Sequence, residues 1–173
     1  MKNYRKLLEY INTFVFDVDG VLASSYVSTL PDGEQIRTMN AKDGYAIQLA
    51  VKNEYNVCII SGAKADSIKK RFERIGVKDI FMGTGNKCEV LDKYMKNKNL
   101  ERRNILYMGD DIPDYKAMQM AGLPACPSDA ANEIKLISLY ISEVKGGDGC
   151  VRDIIEQVLK IQGKWMNDNA FCW

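Results

Sequence analysis

The chain has 173 residues, enough for one domain with its own core, and its 46% hydrophobic and 27% charged residues are ordinary for a globular protein. A net charge of +1 with acids and bases interleaved excludes a nucleic-acid stripe, and no run approaches the ~20 apolar residues of a membrane span. Histidine is absent, which removes Ser–His and Cys–His nucleophiles and histidine metal sites and leaves carboxylates, lysine, serine and a metal ion to carry any catalysis.

In chain order, residues 1–6 lack the apolar centre of a signal peptide, so the sequence predicts a cytoplasmic protein. Residues 13–16 form a mainly apolar run that reads as a buried strand, and it ends in Asp17-Val18-Asp19-Gly20. Burying two carboxylates beside such a run is unfavourable without a cation, and oxygen-only ligands suit a hard divalent ion such as Mg2+. The alternative is a solvated turn that happens to follow a strand. Residues 25–30 and 35–39 flank Pro31-Asp32-Gly33-Glu34, which predicts a projecting β-hairpin. After a helix near 44–52, a second apolar run at 57–60 ends in Ser61-Gly62, a hydroxyl beside a glycine that permits close approach. A helix near 65–75 leads to a third run, 80–82. The segment that follows, Gly83-Thr84-Gly85-Asn86-Lys87, puts an ammonium at the start of a helix over 87–96, where it opposes the macrodipole and points to an anionic partner. Residues 105–108 end in Gly109-Asp110-Asp111, with Asp114 three residues on, before a helix over 115–121. A weaker strand covers 139–141. Val151, Ile154, Ile155, Val158 and Leu159 give a helix over 151–161 one apolar face. The tail, 164–173, carries Trp165, Phe171 and Trp173 outside any periodic element and either folds onto its own core or meets another subunit. The five cysteines, with no C-x-x-C pair, read as reduced and mostly buried thiols.

Strands alternating with helices predict an α/β, Rossmann-like three-layer sandwich with a mainly parallel sheet, in a single domain over residues 1–173. In such sheets ligands bind at the carboxyl ends of the strands. Taken singly, Ser61 reads as a helix cap, Lys87 as a surface charge and Asp114 as an acid at a helix start. Four strand ends bearing these groups in this order point instead to one phosphate-handling site. The set Asp17-x-Asp19, Ser61, Lys87 and Gly109-Asp110-Asp111-x-x-Asp114 resembles the four motifs of the haloacid dehalogenase superfamily of phosphohydrolases. Residues 17–22, Lys42-Asp43-Gly44-Tyr45, residues 109–114 and Gly146-Gly147-Asp148-Gly149 are similar, over nearly the whole chain, to the subfamily of 3-deoxy-D-manno-octulosonate 8-phosphate phosphatases.

That resemblance implies a Mg2+-dependent phosphatase for a small-molecule sugar-acid phosphate, serving the synthesis of the inner sugar of lipopolysaccharide. It implies Asp17 as nucleophile, forming an aspartyl-phosphate, and Asp19 as the acid and base. Ser61, Gly62 and Lys87 are implied to hold the phosphoryl group. The metal is implied on Asp17, the Asp19 carbonyl and Asp110, with Asp111 and Asp114 supporting it. The intervals from Asp19 to Ser61, Ser61 to Lys87 and Lys87 to Asp110 are too short for a cap domain. Members of the resembled group close their open sites by forming tetramers through the hairpins, so the resemblance implies a homotetramer built on residues 25–39. One departure concerns the substrate: many members carry an arginine where this chain has Ala63. Another cation must then meet the sugar acid, with Lys64, Arg71 and Arg74 as candidates beside a group from a neighbouring chain. Asp43 is a further candidate substrate contact. A nonulosonate 9-phosphate or another small phosphomonoester remains an alternative substrate. A phospho-aspartate switch without catalysis is a third reading, which the presence of Asp19 argues against.

Overall fold

The computed structural model describes residues 4–171. After a short helix α1 (Tyr4–Leu8), strand β1 (Thr13–Phe16) enters the middle of a six-stranded sheet. A hairpin of β2 (Ser28–Thr29) and β3 (Gln35–Ile36) follows, then α2 (Ala41–Lys52), β4 (Asn56–Ile60), α3 (Asp66–Arg74) and β5 (Asp79–Phe81). The chain continues through α4 (Lys87–Lys98), β6 (Ile105–Met108), α5 (Tyr115–Met118), β7 (Leu123–Cys126), α6 (Asn132–Ile137), β8 (Tyr140–Ile141) and α7 (Cys150–Ile161). The sheet runs β5-β4-β1-β6-β7-β8, and all its pairings are parallel. From β1 the chain therefore builds first to one side, then to the other, leaving a crevice at the carboxyl ends of β1, β4 and β6.

The pleat explains the apolar runs. Phe14 and Phe16 point into a core shared with α1, α2, α3 and α7, whereas Val15 points into a second core under α4, α5 and α6. Both faces are covered, so the central strands need apolar residues at every position rather than at alternate ones. The predicted face of α7 is fully buried, and each of Val151, Ile154, Ile155, Val158 and Leu159 contributes about 1.5–3 kcal/mol of burial.

β7, α1 and α6 are not expected from the sequence, the hairpin strands are shorter than expected, and the tail takes one of the two courses left open. β7 lies in a stretch that includes Pro124, a residue that argues against a central strand. Its carbonyl accepts from the Leu139 N–H at the point where β8 only begins, so the missing N–H on that side removes no ladder bond. The hairpin forms at the predicted turn, with the Leu30 N–H donating to the Glu34 carbonyl, but its strands shrink to two residues each. Among the described residues it pairs with no third strand along its length, which limits how far such a ribbon holds. The tail docks on its own chain: Trp165 is buried in the first core, Tyr45 donates to the Ala170 carbonyl at 2.6 Å, and Phe171 stays exposed. Trp173 lies outside the described residues. No helix among the described residues is long and apolar enough to cross a membrane. Cys58, Cys126 and Cys150 are buried and Cys88 half-buried, all as free thiols.

Candidate active site

Register brings the chemistry together. Phe16 is level with Ile59 on one side and Met108 on the other, so Asp17, Ile60 and Gly109 form the next row, with Ser61 and Asp110 one residue beyond. The row is tied by the Asp17 N–H donating to the Met108 carbonyl and by Ser61 and Gly109 donating to the next strands out. The residues Asp17, Asp19, Ser61, Gly62, Lys87, Asp110, Asp111 and Asp114 all line one cleft of about 760 Å3.

Asp17, at the end of β1, is buried with Asp114, and oxygens of Asp17, Asp110 and Asp114 lie within 4.8 Å of one another. Gly20 makes that approach possible: its φ of +80° and the position of Asp110, whose carboxylate would lie 1.9 Å from an added Cβ, admit only glycine. The carbonyl of the same Gly20 is covered by the backbone of Gly146, and Gly147 donates to Val21, so the 146–149 loop braces the first acidic turn.

Lys87 is the first residue of α4, which starts there because the Asn86 side chain accepts from the Glu89 N–H as an N-cap. Its ammonium enters the acid cluster, 2.9 Å from Asp17 and 2.8 Å from Asp114. The Tyr107 hydroxyl, rising from β6, donates to the same Asp114 oxygen at 2.7 Å, while the other Asp114 oxygen is buried without a partner. Burial alone would lower the Lys87 ammonium, but Asp17 and Asp114 overturn that and hold it above the ordinary lysine value. Burial, then the Asp114 charge, pushes the Asp17 carboxyl up to about 8 against the pull of Lys87. The same two causes push Asp110 up to about 7. Three carboxylates facing one ammonium cannot all stay ionised at once, and an oxygen-ligated divalent cation would remove that conflict. Ser61, at the end of β4, is buried, and its Oγ accepts from the Ala63 N–H, which leaves the hydroxyl proton for a ligand in the cleft.

Asp111 and Asp114 separate. Asp111 is exposed and caps its own turn through the Ile112 N–H, whereas Asp114 joins the cluster. Asp19 stands apart from the cluster with its carboxylate gripped by Arg37, a residue the sequence reading did not single out. The available signal was that Arg37 is the only basic residue between Lys6 and Lys42.

None of the four candidate substrate contacts, Asp43, Lys64, Arg71 and Arg74, lines this cleft in the single chain. Asp43 is buried against α7, where it accepts from the Arg152 N–H at 2.6 Å, and burial pushes its carboxyl up to about 6. Lys64 faces a separate cavity beside Gly33 and Gln35 of the hairpin. Arg71 and Arg74 line a third, with Lys70 and Gly44. At 1.5 Å per residue, α3 carries them roughly 8 and 12 Å from its first turn, away from the strand ends.

The sequence profile of the haloacid dehalogenase-like hydrolases matches residues 75–154. The Escherichia coli K12 enzyme named 3-deoxy-D-manno-octulosonate 8-phosphate phosphatase KdsC is 31% identical over 156 residues, covering 90% of this chain and 83% of that protein. Among solved structures, a probable YrbI family phosphatase from Pseudomonas syringae aligns with a TM-score of 0.91 at 31% identity, over 95% of this chain and 93% of that one. The 3-deoxy-D-manno-octulosonate 8-phosphate phosphatase of Moraxella catarrhalis, in complex with magnesium, phosphate and KDO, aligns with a TM-score of 0.90 at 28% identity, over 94% of each chain. The chain therefore belongs to the haloacid dehalogenase-like hydrolases, in the phosphomonoesterase family of the 3-deoxy-D-manno-octulosonate 8-phosphate phosphatases.

Proposed function

We propose that this phosphatase hydrolyses a sugar-acid phosphomonoester, with 3-deoxy-D-manno-octulosonate 8-phosphate as its substrate, and so supplies the inner sugar of lipopolysaccharide in the cytoplasm. The observation that carries the reading is the buried cluster of Asp17, Asp110 and Asp114 around Lys87 at the strand ends. A carboxylate of Asp17 attacks phosphorus, and the phosphorus–oxygen bond to the sugar breaks with its electron pair on the leaving oxygen. Asp19 gives that oxygen a proton. An aspartyl-phosphate remains on Asp17. Asp19 then takes a proton from water, whose oxygen attacks phosphorus, and phosphate leaves with Asp17 restored.

Charge must be neutralised for a carboxylate to approach a phosphate dianion. Lys87 supplies part of it and the Ser61 hydroxyl donates to the phosphoryl oxygens. The oxygen-only donor set fits Mg2+, which Asp17, the Asp19 carbonyl and Asp110 would hold, with Asp114 behind them. Bound there, the ion supplies Lewis-acid and electrostatic stabilisation of the phosphoryl group. Ala63 puts a methyl group on the cleft wall where many relatives carry an arginine, so a nonulosonate 9-phosphate is the second reading.

The test is phosphate release from both sugar-acid phosphates and from neutral sugar phosphates, with Mg2+ and with chelator. The expected result is preference for the octulosonate and loss of turnover with chelator. Comparable rates on all of them overturn the substrate assignment.

A further inference from the structure

Arg37 leaves the hairpin just beyond β3 and turns back to the end of β1. Its Nε meets Asp19 Oδ1 at 2.5 Å and its Nη2 meets Oδ2 at 3.0 Å, so the guanidinium fork engages both carboxylate oxygens. Nη2 also donates to Gln35 Oε1 at 3.0 Å, and Nη1 reaches the Gln35 carbonyl at 3.5 Å. The arginine side chain is 5% exposed and the Asp19 side chain 36%, so this is a sheltered ion pair at the rim of an open cleft. Bidentate, sheltered pairs of this kind hold geometry in a way that loose surface pairs do not.

The position has a chemical consequence. Under the proposed mechanism Asp19 meets the oxygen that leaves with the sugar, and Arg37, which does not itself line the cleft, is held against the Asp19 carboxylate that does. The two cations that line the cleft are placed differently: Lys87 is committed to Asp17 and Asp114, and Lys116 is exposed on α5. A planar fork matches a carboxylate, and the exchange of one carboxylate for another leaves the guanidinium paired throughout.

We propose that Arg37 selects an anionic leaving group. Its fork holds Asp19 in the free protein, passes to the carboxylate of the incoming sugar acid, and by moving releases an Asp19 oxygen toward the bond being cleaved. A neutral leaving group offers nothing to draw the arginine away. This rests on the sugar-acid reading and names the residue that carries it, in a chain whose Ala63 cannot.

The experiment compares kcat and KM of the wild type, Arg37→Met, Arg37→Lys and Lys116→Met, with Mg2+, on 3-deoxy-D-manno-octulosonate 8-phosphate and on glucose 6-phosphate. Removing one partner of a charged hydrogen-bonded pair corresponds to a loss of roughly 10- to 100-fold. Arg37→Met is expected to lose that much kcat/KM on the sugar acid, mainly through KM, and to lose none on the neutral phosphate, where Asp19 is no longer held, with Arg37→Lys between. An equal loss on both substrates, or selectivity lost in Lys116→Met instead, overturns the proposal. Should Arg37→Met fail to fold, Arg37→Lys is read by the same criterion. A wild-type enzyme that does not prefer the sugar acid overturns the substrate reading itself and this proposal with it, whereas a preference that survives Arg37→Met overturns this proposal alone.

Discussion

Lys87 joins folding to function at the scale of one residue. Its methylene chain and ammonium fill a buried gap between Asp17 and Asp114, and without it two carboxylates face each other in a dry pocket. Removing one member of such a pair typically destabilises by about 3–5 kcal/mol, because the remaining charge stays buried. Urea unfolding of Lys87→Met at neutral pH without metal is expected to read a loss in that range, partly restored by Mg2+. Unchanged stability would mean that the acids are solvated. The positions of Asp17, Ser61 and Asp110 were legible in the sequence because each lies at or just past the point where an apolar run stops, and Lys87 because it opens the helix after such a run. Arg37 was not, since its pairing depends on the angle at which a hairpin folds back, and no periodicity encodes that angle. Arg71 and Arg74 lie off this cleft for the related reason that nearness in sequence to Ser61 is undone by the length of a helix.

At the scale of elements, α2 and α7 are joined through Asp43. One of its oxygens accepts from the first turn of α7 and the other is buried without a partner, beside the Arg152 backbone and the Asp148 charge. Burial raises this carboxyl from 3.8 to about 6, so the folded chain keeps a proton that the unfolded chain gives up. Below the lower value both states are protonated, and Asp43 contributes its full share of stability. As pH rises through about 6 that share is lost, by roughly 3 kcal/mol, and the curve is flat above. Asp43→Asn cannot titrate, so its stability relative to the wild type is expected to grow between pH 4 and 6.5 in denaturant melts. Parallel curves would contradict the assignment. Element by element, helices with a full apolar face, such as α7, were readable from spacing. β7 was hidden by Pro124, and the two short helices α1 and α6 carry too few turns for a pattern to emerge.

For the molecule as a whole, the parallel sheet fixes where the cleft lies, and the hairpin is the feature that the core leaves uncovered. Tyr26 is 86% exposed, and Leu30 and Ile36 are also open to solvent on a ribbon with no core of its own. Such an apolar projection fits the tetramer that the family resemblance implies, in which hairpins pack on one another. Sedimentation of the wild type is expected to give a tetramer and Ile36→Asp a smaller species with a weaker KM. A monomeric wild type with full activity would set that closure aside. Under the proposed mechanism every part of the fold serves one event, the attack of Asp17 on phosphorus. Its most direct test is rapid acid quenching of a single turnover, followed by mass spectrometry of the peptide containing Asp17. The account predicts a phosphoryl adduct on Asp17 that rises and decays before phosphate release is complete, and neither adduct nor release in Asp17→Asn. Phosphate release by Asp17→Asn, or wild-type turnover with no adduct on that peptide, would contradict it.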